Sequence, residues 1–384
     1  MPPLKVGLIG YGFSTKCFHL PFIAPNPDLE IYAFLQRKEA PQDKGKVESG
    51  VHCTIDYPQA KHYRTADEFF GCEGIELVVV CSGHDSHFEM ARRALGGGKH
   101  VEKPFTLTTP EADALIALSK KQGKVLTVFQ NRRYDSDFRT LQHLVAQDAF
   151  GEITAFANHY DMDSPEWALK WPTDKHTLGE GMLYGIGTHT IDQTLVLFGV
   201  PASVTAVTRV LRGGGAGEGS GGGAEDMFTL LLQYGGKWAG LVAEVKTTVV
   251  SPFPMGRMLK YEIKGSGGGF VKNGEDPQIT HLLSGLPVSD PRFGVEPESY
   301  HGFLSTTKPQ LDGVKLEESG DGKFTGIVQS ERGSYVDYYR DVVAAIRGEK
   351  AVVVKPEESR MGIRVIELAR ESAERGVSVA WSES

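Results

Sequence analysis

The stretch KHVEKPF, residues 99–105, places two charged side chains and a proline at the end of an apolar strand. Val101 is typical of a strand, whereas Glu102 and Lys103 are ionic and Pro104 restricts the backbone that follows. Such a segment is either a solvated pair at a sheet edge or part of a site. An ammonium group facing a reacting oxygen would stabilise developing negative charge and could relay a proton.

A second group of candidate residues lies in GMLYGIGTHTIDQTLVLFG. The pattern predicts a helix from about 183 to 198 that ends at Gly199. Helical spacing puts positions 185, 189, 192 and 196 on one face, so that His189 and Asp192 are neighbours. Histidine titrates near neutrality and suits proton transfer, but a buried histidine bonded to Asp192 is an alternative, and the two can coexist.

A glycine turn, VGLIGYGFS, follows the first apolar run. Gly10 and Gly12 match two positions of the G-x-G-x-x-G fingerprint, and Thr15 stands at the third. A helix is predicted to follow, whose N-terminus could face a pyrophosphate that the glycines allow to approach. We assign Gly10, Gly12, Phe13 and Ser14 to a dinucleotide site. The alternative is a glycine turn in a nucleotide-free domain.

The second predicted strand ends in FLQRKEA, with Arg37 and Lys38 where an acid would hold the ribose hydroxyls of NAD. Basic residues at this position accommodate the 2′-phosphate of NADP, so the sequence favours NADP, with NAD still possible. Glu39 is a complication, and a solvated basic pair is the alternative.

The elements that must position these residues alternate over the first 130 residues. Apolar runs predict strands at 5–10, 29–37, 75–82, 99–103 and 124–130, and helical patterns fall at 87–95 and 109–123. The second helix has Thr109 as its expected N-cap, Pro110 at its first position and Gly123 at its end. The pattern predicts an α/β domain, residues 1–130, with a doubly wound parallel sheet.

The rest of the chain, residues 131–384, has a different pattern. Strands are predicted at 152–160, 202–211, 227–234, 237–250 and 257–265, with two closing helices near 333–347 and 357–375. These runs predict an α+β domain with an open, mainly antiparallel sheet. The glycine-rich stretch 212–226 is predicted to be a flexible loop.

Composition limits the class of protein. The chain has 384 residues, a net charge of −8 and four cysteines without a C-x-x-C pair. The charge disfavours nucleic acid or an anionic membrane as partner, and no apolar run approaches the roughly 20 residues of a membrane span. The N-terminus does not resemble a signal peptide, and the cysteine content fits a reduced cytoplasm.

Five segments together resemble the Gfo/Idh/MocA oxidoreductases: IGYGFSTKCFHLPFI, GKHVEKPFT, FQNRRYDSDF, LYGIGTHTIDQ and PEESRMGIRVIELARESAERGVSVAW. The likeness runs over nearly the whole chain. It implies a Rossmann domain, a C-terminal domain with an open sheet, and hydride transfer between NAD(P) and a sugar, cyclic polyol or related carbonyl compound. It also implies a homodimer or homotetramer formed through that sheet.

The resemblance assigns roles to particular residues. It implies that Lys103 contacts the reacting oxygen and that His189 is its acid/base partner, with Asp192 beside it. It places the cofactor near Ser82, Gly83, His87, Glu102 and Asn131. The segments 131–135 and 158–163 suit a hydroxylated ligand or, equally, a surface. The resemblance implies no metal, although His84, Asp85 and His87 form a polar group.

Two positions depart from the family pattern. Family members carry about two more hydrophobic residues before the E-K-P segment, a difference that preserves the side-chain alternation of a strand. Gly185 stands four residues before His189, where many inositol dehydrogenase relatives have an aspartate. A catalytically weak or inactive NAD(P)-sensing regulator is therefore the alternative function, and a non-sugar substrate such as an aromatic dihydrodiol is a further possibility.

Overall fold

The computed structural model describes residues 1–102, 106–168, 177–211 and 223–382, with only the backbone described at Glu102. The chain divides into two compact units. The first contains Met1–Asn131 together with two later segments, Thr280–Phe293 and Tyr335–Arg360. The second contains Arg132–Ile279, Gly294–Ser334 and Met361–Ser384.

A parallel sheet forms the centre of the first unit. Its strands among the described residues are β1 (Leu4–Ile9), β2 (Leu29–Leu35), β3 (Lys61–Tyr63), β4 (Leu77–Val80), β5 (His100–Glu102) and β6 (Leu126–Thr127). Their order in the sheet is β3-β2-β1-β4-β5-β6. This doubly wound arrangement confirms the predicted fold class, and the strand order reverses between β1 and β4.

Burial explains why the central strands were readable from sequence. All four residues of β4 and the last four of β1 are buried, because helices cover both faces of a parallel sheet. Three residues form β3, and only part of each is buried, so no apolar run marked that strand. The apolar pattern of the sequence therefore does not predict β3.

The helices of the first unit are short near the glycine turn and longer afterwards. They are α1 (Leu20–Ile23), which follows a π-helical turn at Thr15–His19, α2 (Cys53–Asp56), α3 (Ala66–Phe70), α4 (His87–Gly96) and α5 (Thr109–Gln122). The N-cap of α5 is Thr108 and not Thr109 as predicted, so Pro110 lies one position further into the helix. Gly123 ends α5 in the left-handed conformation, as predicted.

A larger mixed sheet forms the second unit. Its strands are β7 (Ile153–His159), β8 (Ser203–Arg209), β9 (Met227–Gln233), β10 (Val242–Thr248), β11 (Leu259–Gly265), β12 (Gly268–Asn273), β13 (Gly302–Thr306), β14 (Glu317–Glu318), β15 (Phe324–Val328) and β16 (Val379–Ala380). The order is β14-β15-β13-β12-β11-β7-β10-β9-β8-β16. Among the described strands of this second sheet only β7 and β10 pair in parallel, which confirms a mainly antiparallel sheet.

The two faces of this sheet differ. Directly opposite residues on one face are buried, in the row Val204, Leu232, Ala243, Phe156, Ile263, Phe270, Leu304. The other face carries the row Thr205, Leu231, Glu244, Ala157, Glu262, Val271, Phe303, Ile327. The buried face packs on α6 (Ser136–Ala146) and α7 (Thr188–Phe198), for example through the ring contact of Phe156 with Phe198.

The remaining helices are α8 (Gln278–Leu283), α9 (Tyr335–Ile346) and α10 (Pro356–Arg375). The last two agree with the predicted closing helices. Most of the predicted flexible loop, residues 212–222, lies outside the described residues. Its end is packed, since Ala224, Glu225 and Asp226 are buried. Among the described residues, no helix has the length and apolar character that crossing a bilayer requires.

Candidate active site

The glycine turn follows β1 at the point where the strand order reverses. Gly10 has φ +98°, a conformation that side chains other than glycine rarely adopt, and an added Cβ would lie 2.7 Å from the carbonyl oxygen of Cys81. The hydroxyl of Thr15, at the position of the missing third glycine, donates to the carbonyl of Gly10 at 3.1 Å. Thr15 therefore closes the turn internally.

The next residues leave space at the surface of this loop. No atom of the described residues lies within 4 Å of a Cβ added at Gly12, whose backbone is exposed. Phe13 is exposed, Ser14 is half-buried, and helical backbone begins at Phe13. Open space at a glycine followed by a helix start fits the approach of a pyrophosphate. The residues present therefore fit a dinucleotide.

The loop after β4 lies beside the glycine turn, because the backbone N–H of Cys81 donates to the carbonyl of Ile9 at 2.8 Å. Ser82 and Gly83 lie in this loop. The hydroxyl of Ser86 donates to the hydroxyl of Ser82 at 2.7 Å. His87 is buried, and its Nε2 lies 2.8 Å from the carbonyl of Ser82, so this histidine supports the loop from within.

Three cations gather at the ends of β2 and β3. Arg37 and Lys38 are exposed, and the sequence reasoning had singled them out. Arg64, directly after β3, was missed: its Nε donates to the carbonyl of Arg37 at 3.4 Å, and its Nη1 lies 3.6 Å from Glu39. Glu68 is a second carboxylate here and accepts from the backbone N–H of Arg64 at 3.4 Å, so the basic group has two acidic neighbours.

His52 contacts the segment that follows β2. The Nε2 of His52 lies 3.2 Å from the carbonyl of Lys38, and its Nδ1 accepts from the backbone N–H of Thr54 at 3.2 Å. Cys53 and His62 offer further donor atoms within 4.8 Å. Because both ring nitrogens of His52 have hydrogen-bond partners, this cluster holds the Arg37–Lys38 segment rather than forming an open ligand set.

The segment around the predicted catalytic lysine is only partly described. The backbone of Glu102 pairs with Val79 of β4 and Thr127 of β6, so β5 keeps its place in the sheet despite the shortened segment. Lys103 lies outside the described residues, as do Pro104 and Phe105. Asn131 is buried at the start of the turn Asn131–Tyr134.

In the second unit, His189 is the second residue of α7 and is half-buried. A π-helical turn, Leu183–Gly187, precedes it and contains Gly185. Because a π turn holds an extra residue, position 185 is displaced from the face that uninterrupted α-helical spacing had predicted for it. Turns of this kind recur at functional sites.

Asp192 forms a buried ion pair. The Nε and Nη2 of Arg133 each donate to a different carboxylate oxygen of Asp192, both at 2.7 Å. This two-pronged geometry is the strongest arrangement available to the pair and restricts both side chains. The sequence had placed Arg133 only in a generally polar segment, and the 59 residues that separate the two partners gave no signal for the pairing.

Gln193 is a further residue that sequence reasoning missed. It is fully buried, and its Oε1 accepts from the hydroxyl of Tyr261 at 2.9 Å and from Asn158 at 3.2 Å. Its Nε2 donates to the carbonyl of Arg132 at 2.9 Å. Gln193 thus links α7 to β7, β11 and the turn that carries Arg133, and this sets the orientation of the helix bearing His189.

These features define a class. A parallel sheet with a glycine turn at its switch point binds a dinucleotide, and a second unit supplies a helix with a histidine near a buried ion pair. That combination is typical of a two-domain, nicotinamide-dependent oxidoreductase.

Family comparisons agree with this class. Residues 4–130 match the oxidoreductase family's NAD-binding Rossmann fold, and residues 142–381 match its C-terminal alpha/beta domain. The chain belongs to the Gfo/Idh/MocA oxidoreductase family, and it is an oxidoreductase.

Individual relatives span almost the whole chain. Oxidoreductase C115.03 of Schizosaccharomyces pombe is 35% identical over 99% of this chain and 100% of its own. The scyllo-inositol 2-dehydrogenase (NADP(+)) IolW of Bacillus subtilis is 31% identical over 96% of this chain and 94% of its own. The solved structure of the oxidoreductase yvaA from Bacillus subtilis superposes with a TM-score of 0.82, at 29% identity over 99% of both chains.

Proposed function

We propose that the protein is an NADP-dependent dehydrogenase that oxidises a CH–OH group of a cyclic polyol or sugar, or reduces the corresponding carbonyl compound. The observation that carries this proposal is the full-length likeness to a relative named as a scyllo-inositol 2-dehydrogenase that uses NADP⁺. Shorter likenesses to a D-glucoside 3-dehydrogenase and a levoglucosan dehydrogenase support a hydroxylated substrate.

The preference for NADP is supported by the ends of β2 and β3. Arg37, Lys38 and Arg64 present three cations there, and two carboxylates lie beside Arg64: Glu39, 3.6 Å from its Nη1, and Glu68, which accepts from its backbone N–H. A 2′-phosphate carries negative charge and several acceptor oxygens, which such a group can bind. The ribose hydroxyl of NAD would instead favour a free carboxylate.

The bound dinucleotide would supply the hydride acceptor. Lys103 is proposed to stabilise the oxygen as its bond order changes, and His189 to accept the alcohol proton. Arg133 donates two hydrogen bonds to the buried carboxylate of Asp192, which holds α7 in place. Gly10 and Gly12 give the backbone close access to the pyrophosphate.

The alternative is a regulator that binds NAD(P) but turns over slowly or not at all. Gly185 favours it, because no carboxylate stands at this position to hold the ring of His189. The Arg133–Asp192 pair supports the enzyme instead, since it retains a charged group three residues beyond His189.

We further propose a homodimer or homotetramer built on the exposed face of the large sheet, and a location in the cytoplasm. Four residues of that face's cross-strand row expose much of their apolar side chains: Leu231 (37%), Val271 (37%), Phe303 (50%) and Ile327 (59%). Val271, Phe303 and Ile327 are neighbours in the row, and an exposed apolar patch of this kind is typical of a subunit interface.

The test is a spectrophotometric screen of the purified protein with NADP⁺ and NAD⁺ against scyllo-inositol, myo-inositol, D-glucose and levoglucosan. We expect reduction of NADP⁺ with at least one of them, and a lower KM for NADP⁺ than for NAD⁺. Tight NADPH binding without turnover on any substrate would support the regulator.

A further inference from the structure

A small cavity opens at the carboxyl end of β7, within the second unit. Tyr160, Asp161, Met258, Lys260, Gly274 and Glu275 are among its lining residues. Its volume of about 20 Å³ is slightly more than the roughly 10–15 Å³ that one water molecule requires, so it admits a single hydroxyl-sized group. It therefore suits one end of a small molecule. We call it the Lys260 cavity.

Lys260 enters this cavity because β11 changes register with β12 between Leu259 and Tyr261, which turns an extra side chain inward. The residue is only 2% exposed. Its ammonium lies 4.9 Å from the ring centre of Tyr160 and 4.8 Å from that of Tyr261. Burial lowers the pKa of Lys260, while nearby acids, among them Asp137, oppose that shift.

The ammonium of Lys260 has no hydrogen-bond partner among the residues that the structure describes. Aromatic faces attract a cation but do not satisfy its three N–H donors. A buried donor without an acceptor is costly, and native proteins leave few of them.

The same cavity contains a complementary group. The Oε2 of Glu275 is buried and, within the described parts of the chain, accepts no hydrogen bond. The nearest cation, Arg132 Nη1, lies 3.9 Å away, which is an ion pair but too long for a hydrogen bond. One cavity therefore offers both an unused donor and an unused acceptor.

Another buried lysine shows how this fold satisfies an ammonium that serves structure alone. Lys272, on β12, lies 3.0 Å from Glu296 and donates to the carbonyls of Asn273 and Gly274, both at 3.1 Å. Lys260 differs in having only rings and more distant charges around it.

From these observations we propose that the Lys260 cavity is a subsite for a substrate hydroxyl group, which accepts from Lys260 and donates to Glu275. A hydroxyl, like a water molecule, can accept from an ammonium and donate to a carboxylate at the same time. Glu275 and Asp161 would repel a carboxylate or phosphate. Lys260 and Arg132 would repel an ammonium group. The inference rests on the proposed polyol substrate and adds two specificity-determining residues.

The subsite is connected to the helix that carries the proposed base. Tyr261, whose ring faces the ammonium of Lys260, donates its hydroxyl to Gln193 on α7, four residues after His189. A substrate hydroxyl bound to Lys260 would therefore have a defined position relative to α7.

The test measures binding of scyllo-inositol, myo-inositol and D-glucose by saturation-transfer NMR, which does not depend on turnover. The variants are Lys260→Met and Glu275→Gln. Lys264→Met is the matched control, because Lys264 lies on the same strand, is exposed and pairs with Glu262. NADPH affinity, measured by fluorescence, reports whether each variant is folded.

We expect Lys260→Met and Glu275→Gln each to weaken binding of the best polyol about tenfold or more, the scale for a hydrogen bond to a charged group. The polyol affinity of Lys264→Met should equal that of the wild type. The NADPH affinity of all three variants should also be unchanged. Equal polyol affinity in all variants would overturn the subsite, and polyol oxidation by the wild type would still support the proposed function. Loss of binding in both variants of a protein without turnover would support the subsite and contradict the dehydrogenase. A wild type that binds none of the three polyols overturns the subsite.

Discussion

At the scale of single residues, the group formed by Arg37, Lys38 and Arg64 is proposed to select NADP over NAD. Arg37→Ala and Arg64→Ala should each weaken NADPH binding by about 1.5–3 kcal/mol, because each removes a charged hydrogen bond to the 2′-phosphate. NADH has no such phosphate, so both variants should bind NADH as tightly as the wild type does.

Fluorescence titration of both cofactors measures this difference. Arg92→Ala is the control, since Arg92 is an exposed arginine that pairs with Glu89 in α4. Equal losses of NADPH and NADH affinity in Arg37→Ala would contradict a phosphate contact.

Lys103 and His189 are predicted to act on the reaction more than on cofactor binding. Lys103→Met should lower kcat by orders of magnitude, because a charge directed at a reacting oxygen contributes a few kcal/mol to the transition state. His189→Ala should abolish the rise of oxidation rate with pH that accompanies loss of the proton from a general base. Both variants should bind NADPH normally; near wild-type turnover in either one would remove that residue from the mechanism.

His100 should make the stability of the protein depend on pH. It accepts a hydrogen bond from the backbone N–H of Val125, and burial, assisted by Lys124, lowers its pKa from 6.5 to about 4. Below pH 6.5 His100 binds a proton in the unfolded chain, whereas in the folded protein it stays neutral until about pH 4. The free energy of unfolding should therefore fall as pH drops through this window, by at most about 1.4 kcal/mol per pH unit.

Urea denaturation at several pH values measures that slope. His100→Asn keeps an acceptor for Val125 and does not titrate, so its slope between pH 6.5 and 4 should be smaller. An identical slope in the variant would assign the acid sensitivity to other groups.

At the scale of elements, the turn between β1 and α1 contains one glycine that the backbone requires, Gly10, and one that is proposed to face the pyrophosphate, Gly12. Gly10→Ala should destabilise the fold, since its φ of +98° and the 2.7 Å approach to Cys81 leave no room for a methyl group. Gly12→Ala should leave stability within about 1 kcal/mol but weaken dinucleotide binding, because its methyl group would point into open space needed by the pyrophosphate.

Thermal melts and NADPH titration distinguish the two. A Gly12→Ala protein with unchanged cofactor affinity would show that the pyrophosphate does not approach this glycine. Gly10→Ala with a wild-type melting temperature would contradict the geometry of the turn.

Polar contacts on the buried side of α7 add to its apolar packing through Ile191, Leu195 and Phe198. Gln193 and Asp192 are consecutive, and each bonds to a different part of the second unit. Polar contacts constrain distance and direction, whereas apolar packing constrains mainly volume. These two contacts therefore restrict the rotation of the helix that carries His189.

At the scale of the whole molecule, the exposed sheet face predicts self-association. Phe303→Glu, at the centre of the apolar end of the row, should shift the protein toward monomer, because a charge in an apolar interface loses hydration without gaining a partner. Analytical ultracentrifugation measures the mass. Glu317→Gln, on the exposed two-residue strand β14, is the control. A wild-type monomer, or an assembly unaffected by Phe303→Glu, would contradict an interface at this face.

The sequence by itself determined the class of both sheets and the place of the glycine turn after β1. Continuous apolar runs such as β4 can be read because a strand buried on both faces needs no polar residues. Gly10 and Gly123 can be read because left-handed backbone selects glycine. The resemblance to the family also rested on local segments, and the family comparisons confirm it.

Tertiary structure alone decided which distant residues meet. Arg64 joins Arg37 across 27 positions, Arg133 pairs with Asp192 across 59, and Tyr261 reaches Gln193 across 68. Periodicity reports which face of an element is buried, but sheet order, strand register and bulges select the partner that the face meets. The unused donor of Lys260 and the unused acceptor of Glu275 likewise can be identified only in the folded chain, because hydrogen-bond partners depend on tertiary contacts.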